Sequence, residues 1–156
     1  MSLSKHSDDI SEGPVRVTVC LRAATAPAIQ ERIDAIRERL SRLERSGRVD
    51  AVDVHVWGTR LRPPSSDDQA DEHWAIYRSF DEWARTTGND LGPAFRERTV
   101  SSIDSVACHS VEVPWITVAF VGDDGVQFVA PCSTDEGIIT VEDALATLTA
   151  PTAVHP

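Results

Sequence analysis

Three consecutive stretches decide the fold: Val15-Arg-Val-Thr-Val-Cys-Leu-Arg22, Ile29-Gln-Glu-Arg-Ile33-Asp-Ala-Ile36-Arg-Glu-Arg-Leu40-Ser-Arg-Leu43, and Val52-Asp-Val-His-Val-Trp-Gly58. In the first, Val15, Val17, Val19 and Leu21 alternate with Arg16, Thr18, Cys20 and Arg22, the period-two pattern of a strand with one buried face. In the second, Ile29, Ile33, Ile36, Leu40 and Leu43 recur at steps of four and three, which puts them within a helical face about 80° wide. Burying those five side chains contributes on the order of 10 kcal/mol before entropy, enough to require a sheet beneath the helix. The third alternates Val52, Val54 and Val56 with Asp53, His55 and Trp57. Strand, helix and strand in that order predict a right-handed crossover between two parallel strands.

Punctuation agrees with this reading. Thr25 is placed to cap the helix, Pro27 sits in its first turn, where an amide hydrogen would lack an intrahelical partner, and Gly47 closes it. Downstream, Thr59 to Ala70 is a polar, proline-bearing loop, and a second helix is predicted from Asp71 to Thr87, with Ile76, Phe80 and Trp83 on one side. Leu91 to Phe95 reads as one further turn, and the stretch holding Val100 and Ile103 reads as either strand or extended loop. Trp115 to Val121 and Val126 to Ala130 flank Gly122-Asp-Asp-Gly125 as a hairpin. Thr140 and Asp143 form a capping box ahead of a last helix with Val141, Leu145 and Leu148 inward.

These elements imply an α+β domain over residues 14–150. It has a mixed β-sheet with a parallel β-α-β unit plus a β-hairpin, and helices packed mainly on one face, as in a ferredoxin-like variant. Residues 1–13 carry almost no apolar anchor and are expected to form a mobile acidic tail, with 151–156 a flexible C-terminus.

Charge is the second informative feature. Lys5 is the single lysine among 15 basic residues, against 25 acidic ones, for a net charge of -10. Such a chain repels itself in dilute buffer, whereas in molar salt the screening length falls to about 3 Å. The composition therefore favours a halophilic protein. No stretch approaches eighteen consecutive apolar residues, and the opening Met-Ser-Leu-Ser-Lys-His lacks a secretory apolar core, so a soluble cytoplasmic protein without membrane contact is expected.

Chemistry-bearing motifs are sparse. Cys20, Cys108 and Cys132 form an odd set without CxxC spacing, and Cys108 and His109, as neighbours on a strand, would point to opposite faces, so no metal site and no cofactor are expected. Cys132, just after a strand, is the one candidate nucleophile, and a packed thiol is the preferred reading, so no catalytic residue is assigned. The paired carboxylates fall in loops and at helix starts, where solvent and the backbone dipole favour them. Walker, dinucleotide-binding, HExxH and GxSxG motifs are absent, which removes those enzyme classes. Arginine remains. Arg32, Arg39 and Arg42 lie near one side of the first helix, Arg60, Arg62, Arg96 and Arg98 in flanking segments, and Trp57 beside Gly58 offers a stacking or partner-binding edge. Guanidinium groups hold phosphate bidentately, although each group here has acidic neighbours, and nonspecific phosphate binding weakens steeply with salt.

The ordered run, about residues 15–149, resembles a family of small haloarchaeal proteins described as uncharacterised or helix-turn-helix-domain proteins. The resemblance lies in Ile33-Asp-Ala-Ile-Arg-Glu-Arg-Leu40 with Leu43 and Gly47, in Val54-His-Val-Trp-Gly58, and in Phe80-Asp-Glu-Trp-Ala84. It continues in Leu91-Gly-Pro-Ala-Phe95, Val113-Pro114, Val129-Ala-Pro-Cys-Ser133 and Thr140-Val-Glu-Asp-Ala-Leu145. It implies no cofactor and no assigned active site, and its helix-turn-helix label implies nucleic acid. In this chain the first helix runs into a valine-alternating strand instead of a second helix. The favoured expectation is thus a non-enzymatic regulatory or protein-interaction module that binds a partner or itself through a sheet edge. A DNA-binding regulator and a small-molecule-binding protein or enzyme, with a pocket between the second helix and the hairpin, are the alternatives.

The charge reading predicts that the melting temperature, followed by circular dichroism, rises as potassium chloride is taken from dilute to molar. An unchanged melting temperature would remove the halophilic assignment.

Overall fold

The computed structural model describes residues 15–23, 26–63, 72–92, 94–102 and 105–149, with backbone alone at 100–102, 105–109 and 149. The expected tail, the C-terminus, most of the Thr59 to Ala70 loop, the Thr25 cap and the Cys108-His109 side chains lie outside this description.

Strand β1 (Arg16–Arg22), helix α1 (Pro27–Arg45) and strand β2 (Ala51–Trp57) form the expected unit. The strands pair in parallel, from Arg16 opposite Ala51 to Arg22 opposite Trp57. Unlike a split ferredoxin-like unit, the two lie side by side. Ala26, with extended backbone and no side-chain cap, occupies the N-cap position, and Pro27 begins the helix. At the other end the Arg48 N–H reaches back 3.0 Å to the Leu43 carbonyl while Gly47 adopts φ 87°, the left-handed closure its sequence position suggests.

The rest of the chain adds β3 (Arg60–Leu61), α2 (Glu72–Thr87), β4 (Arg96–Ser102), β5 (Ser105–Glu112), β6 (Ile116–Gly122), β7 (Gly125–Ala130), β8 (Cys132–Thr134), β9 (Gly137–Ile139) and α3 (Val141–Thr149). The main sheet runs β2-β1-β6-β7, a second sheet runs β3-β5-β4, and β8 pairs with β9. The stretch around Val100, readable as strand or loop, is β4, antiparallel to β5. Its polar composition hides the pattern. The Phe95 N–H donates to the Leu91 carbonyl at 3.0 Å, a single hydrogen-bonded turn where one further turn is expected. Thr140 and Asp143 make the capping box reciprocally, each backbone N–H donating to the other's side-chain oxygen at 3.1 Å.

Two cores result, one on each face of the main sheet. Val17, Val19, Ile116, Val118 and Phe120 meet Ile33, Ile36, Leu40 and Leu43 of α1 and Val141, Ala144, Leu145 and Leu148 of α3. On the opposite face Cys20, Ala119 and Val129 meet Tyr77, Phe80, Trp83 and Ala84 of α2, together with Leu61 and Val111 of the second sheet. The Trp83 indole N–H fastens α2 to β7 through the Gln127 carbonyl at 3.0 Å. Two helices thus share one face and the third lies across the other. This arrangement corrects the expectation that β1 buries a single face: Cys20 is fully buried opposite Val19 because α2 and the second sheet cover its side.

Leu40→Ala is expected to cost about 2–5 kcal/mol in urea unfolding, because it removes a side chain from the α1 seam. A cost below about 1 kcal/mol would mean that the seam is not packed against the sheet.

Candidate functional site

Strands β3 and β4 flank β5 in a register that sets Arg60 and Arg96 on either side of Glu112. Side chains alternate between faces, so Arg60, Arg96, Arg98 and Glu112 share the outer face, while Leu61 and Val111 turn inward and are buried. The Glu112 carboxylate lies 3.0 Å from Arg98 Nε and 3.6 Å from Arg60 Nη2. Arg62, just past β3, is exposed as well. Two guanidinium groups paired with one carboxylate, and Arg96 opposite it on the same face, make a basic patch on a chain of net charge -10. Planar donors in this arrangement suit carboxylate or phosphate oxygens. Chain distance conceals the cluster, since some thirty-six positions separate Arg60 from Arg96.

The α1 arginines do not join it. Arg32 donates to Glu142 at 2.7 Å and lies 4.8 Å from the Trp115 ring centroid, tying α1 to α3. Desolvation opposes ionisation of Glu142, but the Arg32 hydrogen bond, a backbone hydrogen bond and the guanidinium charge outweigh it and hold the carboxyl below its usual range. Arg39 and Arg42 line a cleft of about 510 Å³ with Leu43, Ser46 and Arg48. Arg48 there donates to the Leu148 carbonyl at 3.0 Å, so the arginine charge stands at the negative ends of α1 and α3. Trp57 is no exposed edge. It is 1% exposed and packs edge-on against Phe80, Phe95 and His73. Its strand end is roofed by α2, which the sequence pattern of β2 alone does not reveal.

The outer edge of β2 is the second feature. It pairs with β1 on one side, and among the described residues no strand pairs with the other. Val54 and Val56 remain 39% and 58% exposed there. The valine alternation announced a buried face, and the edge position leaves that face half covered.

Between α2 and the β6-β7 hairpin, where a small-molecule pocket was expected, lies a cleft of about 670 Å³. Ile76, Phe80, Trp83, Val121 and Val126 form its apolar lining, and Glu72, Glu82 and Asp124 its acidic margin. His55 enters it 4.0 Å from Glu72. Burial pushes the Cys132 thiol up to about 11 and the Cys20 thiol up to about 12, so thiolate is scarce in both at neutral pH.

Over residues 9–153 the chain matches a family described as a helix-turn-helix domain. It belongs to that family. No curated protein and no solved structure matches it. In this helix-turn-helix family member, strands separate each helix from the next among the described residues: β2 and β3 follow α1, and β4 to β9 follow α2. No helix among them is long and apolar enough to cross a membrane.

The depressed carboxyl of Glu142 fixes a pH dependence. Its contribution to stability is complete above the ordinary value of 4.5 and is lost as pH falls through 4.5 toward the folded value. Glu142→Gln is therefore expected to destabilise the chain at neutral pH by under about 1 kcal/mol, the scale of a half-exposed pair, and the difference from the wild type should vanish in acid. A difference independent of pH in urea titrations would contradict it.

Proposed function

We propose that the protein is a non-enzymatic regulatory module that acts by binding protein, first of all a second copy of itself, through the outer edge of β2. The exposed valines of that edge carry the reading. An open strand presents a row of unpaired backbone donors and acceptors, and side chains such as Val54 and Val56 on it are a template for pairing with another chain. The buried, high-pKa thiols and the open acidic cleft beside α2 give less support to reaction chemistry. Two copies of charge -10 repel each other, and the salt-rich cytoplasm that the composition favours would screen that repulsion to within about 3 Å.

A second reading, DNA binding by a transcriptional regulator, draws on the family description and on the gathering of Arg60, Arg96 and Arg98 on one sheet face. The two readings part in one pair of measurements. Sedimentation velocity in molar potassium chloride is expected to show a concentration-dependent dimer, lost in Val56→Asp while the thermal melt of the monomer is retained. Under the same salt, duplex DNA is expected to give no mobility shift. A monomer at all concentrations, with a shift abolished by Arg60→Ala and Arg98→Ala, would replace the first reading with the second.

A further inference from the structure

We infer that two copies of the chain pair β2 with β2 in antiparallel fashion about a twofold axis through Val54, joining two four-stranded sheets into one continuous sheet. The inference rests on the self-association reading above and gives it a register.

The two faces of β2 differ in chemistry. Val52, Val54 and Val56 lie opposite Val17, Val19 and Leu21 of β1 and so share the face that α1 and α3 cover. Asp53 and His55 lie opposite Thr18 and Cys20 and share the α2 face, where His55 stands 4.0 Å from Glu72. An antiparallel pair related by a twofold axis keeps each face continuous, so residues opposite one another must come from the same face. Three registers keep most of the strand paired.

Centred on Asp53, the pairing sets that carboxylate against its own copy, and like charges directly opposite are destabilising. Centred on His55, it sets imidazole against imidazole, pairs Asp53 with the buried Trp57 and runs Val52 against Gly58. Centred on Val54, it sets Val54 against Val54 and Val52 against Val56 twice, a continuous apolar ladder built from the exposed Val54 and Val56 and the half-buried Val52. On the other face it sets Asp53 against His55 twice, an acceptor against a donor. This register alone is complementary on both faces, and it uses the full length of the strand from Ala51 to Trp57. The backbone pattern accepts it whichever set of residues points outward, because a residue-centred antiparallel pair closes as either a hydrogen-bonded or a non-hydrogen-bonded site. Each cross-strand pair adds about 0.2–1 kcal/mol, so the dimer depends on the whole ladder and on salt that screens the net charge.

Single cysteines on β2 read the register directly, in the full chain carrying Cys108→Ser to remove the third thiol; Cys20 and Cys132 are buried. Under mild oxidation Val54→Cys is expected to cross-link to itself. Val52→Cys and Val56→Cys are expected to cross-link when mixed and not alone. Asp53→His and His55→Asp are each expected to weaken the dimer several-fold, and the double swap to restore it, which a merely structural role would not produce. Self-cross-linking of Val52→Cys or Val56→Cys, or failure of the swap to rescue, would overturn the register while leaving self-association standing. A dimer in sedimentation without any β2 cross-link would overturn the β2 interface altogether. A monomer throughout would overturn both the interface and the reading it rests on.

Discussion

Val19 and Cys20, neighbours on β1, are both fully sealed from water, one on each side of the main sheet, and the rest of the molecule follows from the need to cover both. A strand buried on two faces requires two layers, and the chain supplies them from different regions. Helices α1 and α3 close the valine side, and α2 with the β3-β5-β4 sheet closes the other. The aromatic mass concentrates in the second layer, where Trp57, Phe80 and Phe95 meet edge-to-face at centroid distances of 6.2–6.4 Å. The central strands are thereby committed to packing, and the open surfaces are at the sheet's margins.

Coverage is uneven at those margins. Helix α1 approaches β2, where Val52 packs against the core, and the apolar face of that edge strand ends in the exposed Val54 and Val56. The second sheet turns one face inward and presents arginines on the other, held in place by Glu112. The β2 margin is apolar, and the outer face of the second sheet carries arginines on an acidic chain.

The family description names a helix-turn-helix, whereas the described helices each bury an apolar stripe on a sheet and are divided by strands. A helix can still present an outer face while its inner face is packed. On α1 that outer face alternates arginine with glutamate and aspartate, and Arg32 is engaged by Glu142. On the second sheet Arg60, Arg96 and Arg98 share one face with the Glu112 carboxylate.

Local pattern determined much of this protein by itself: the β-α-β unit, the second helix, the glycine-bounded hairpin and the Thr140 capping box all follow from periodicity and from residues that act on their own neighbours. These signals span a few residues, so the chain carries them in plain order. Tertiary structure alone decided that β4 and β5 are strands, that Trp57 is roofed while Val56 is bare, and that Arg60 meets Arg96 and Arg98. Each of those outcomes depends on which distant segment arrives at a given face or edge. Period-two alternation tells which residues share a side of a strand, and only the position of that strand in the sheet fixes whether the side is covered.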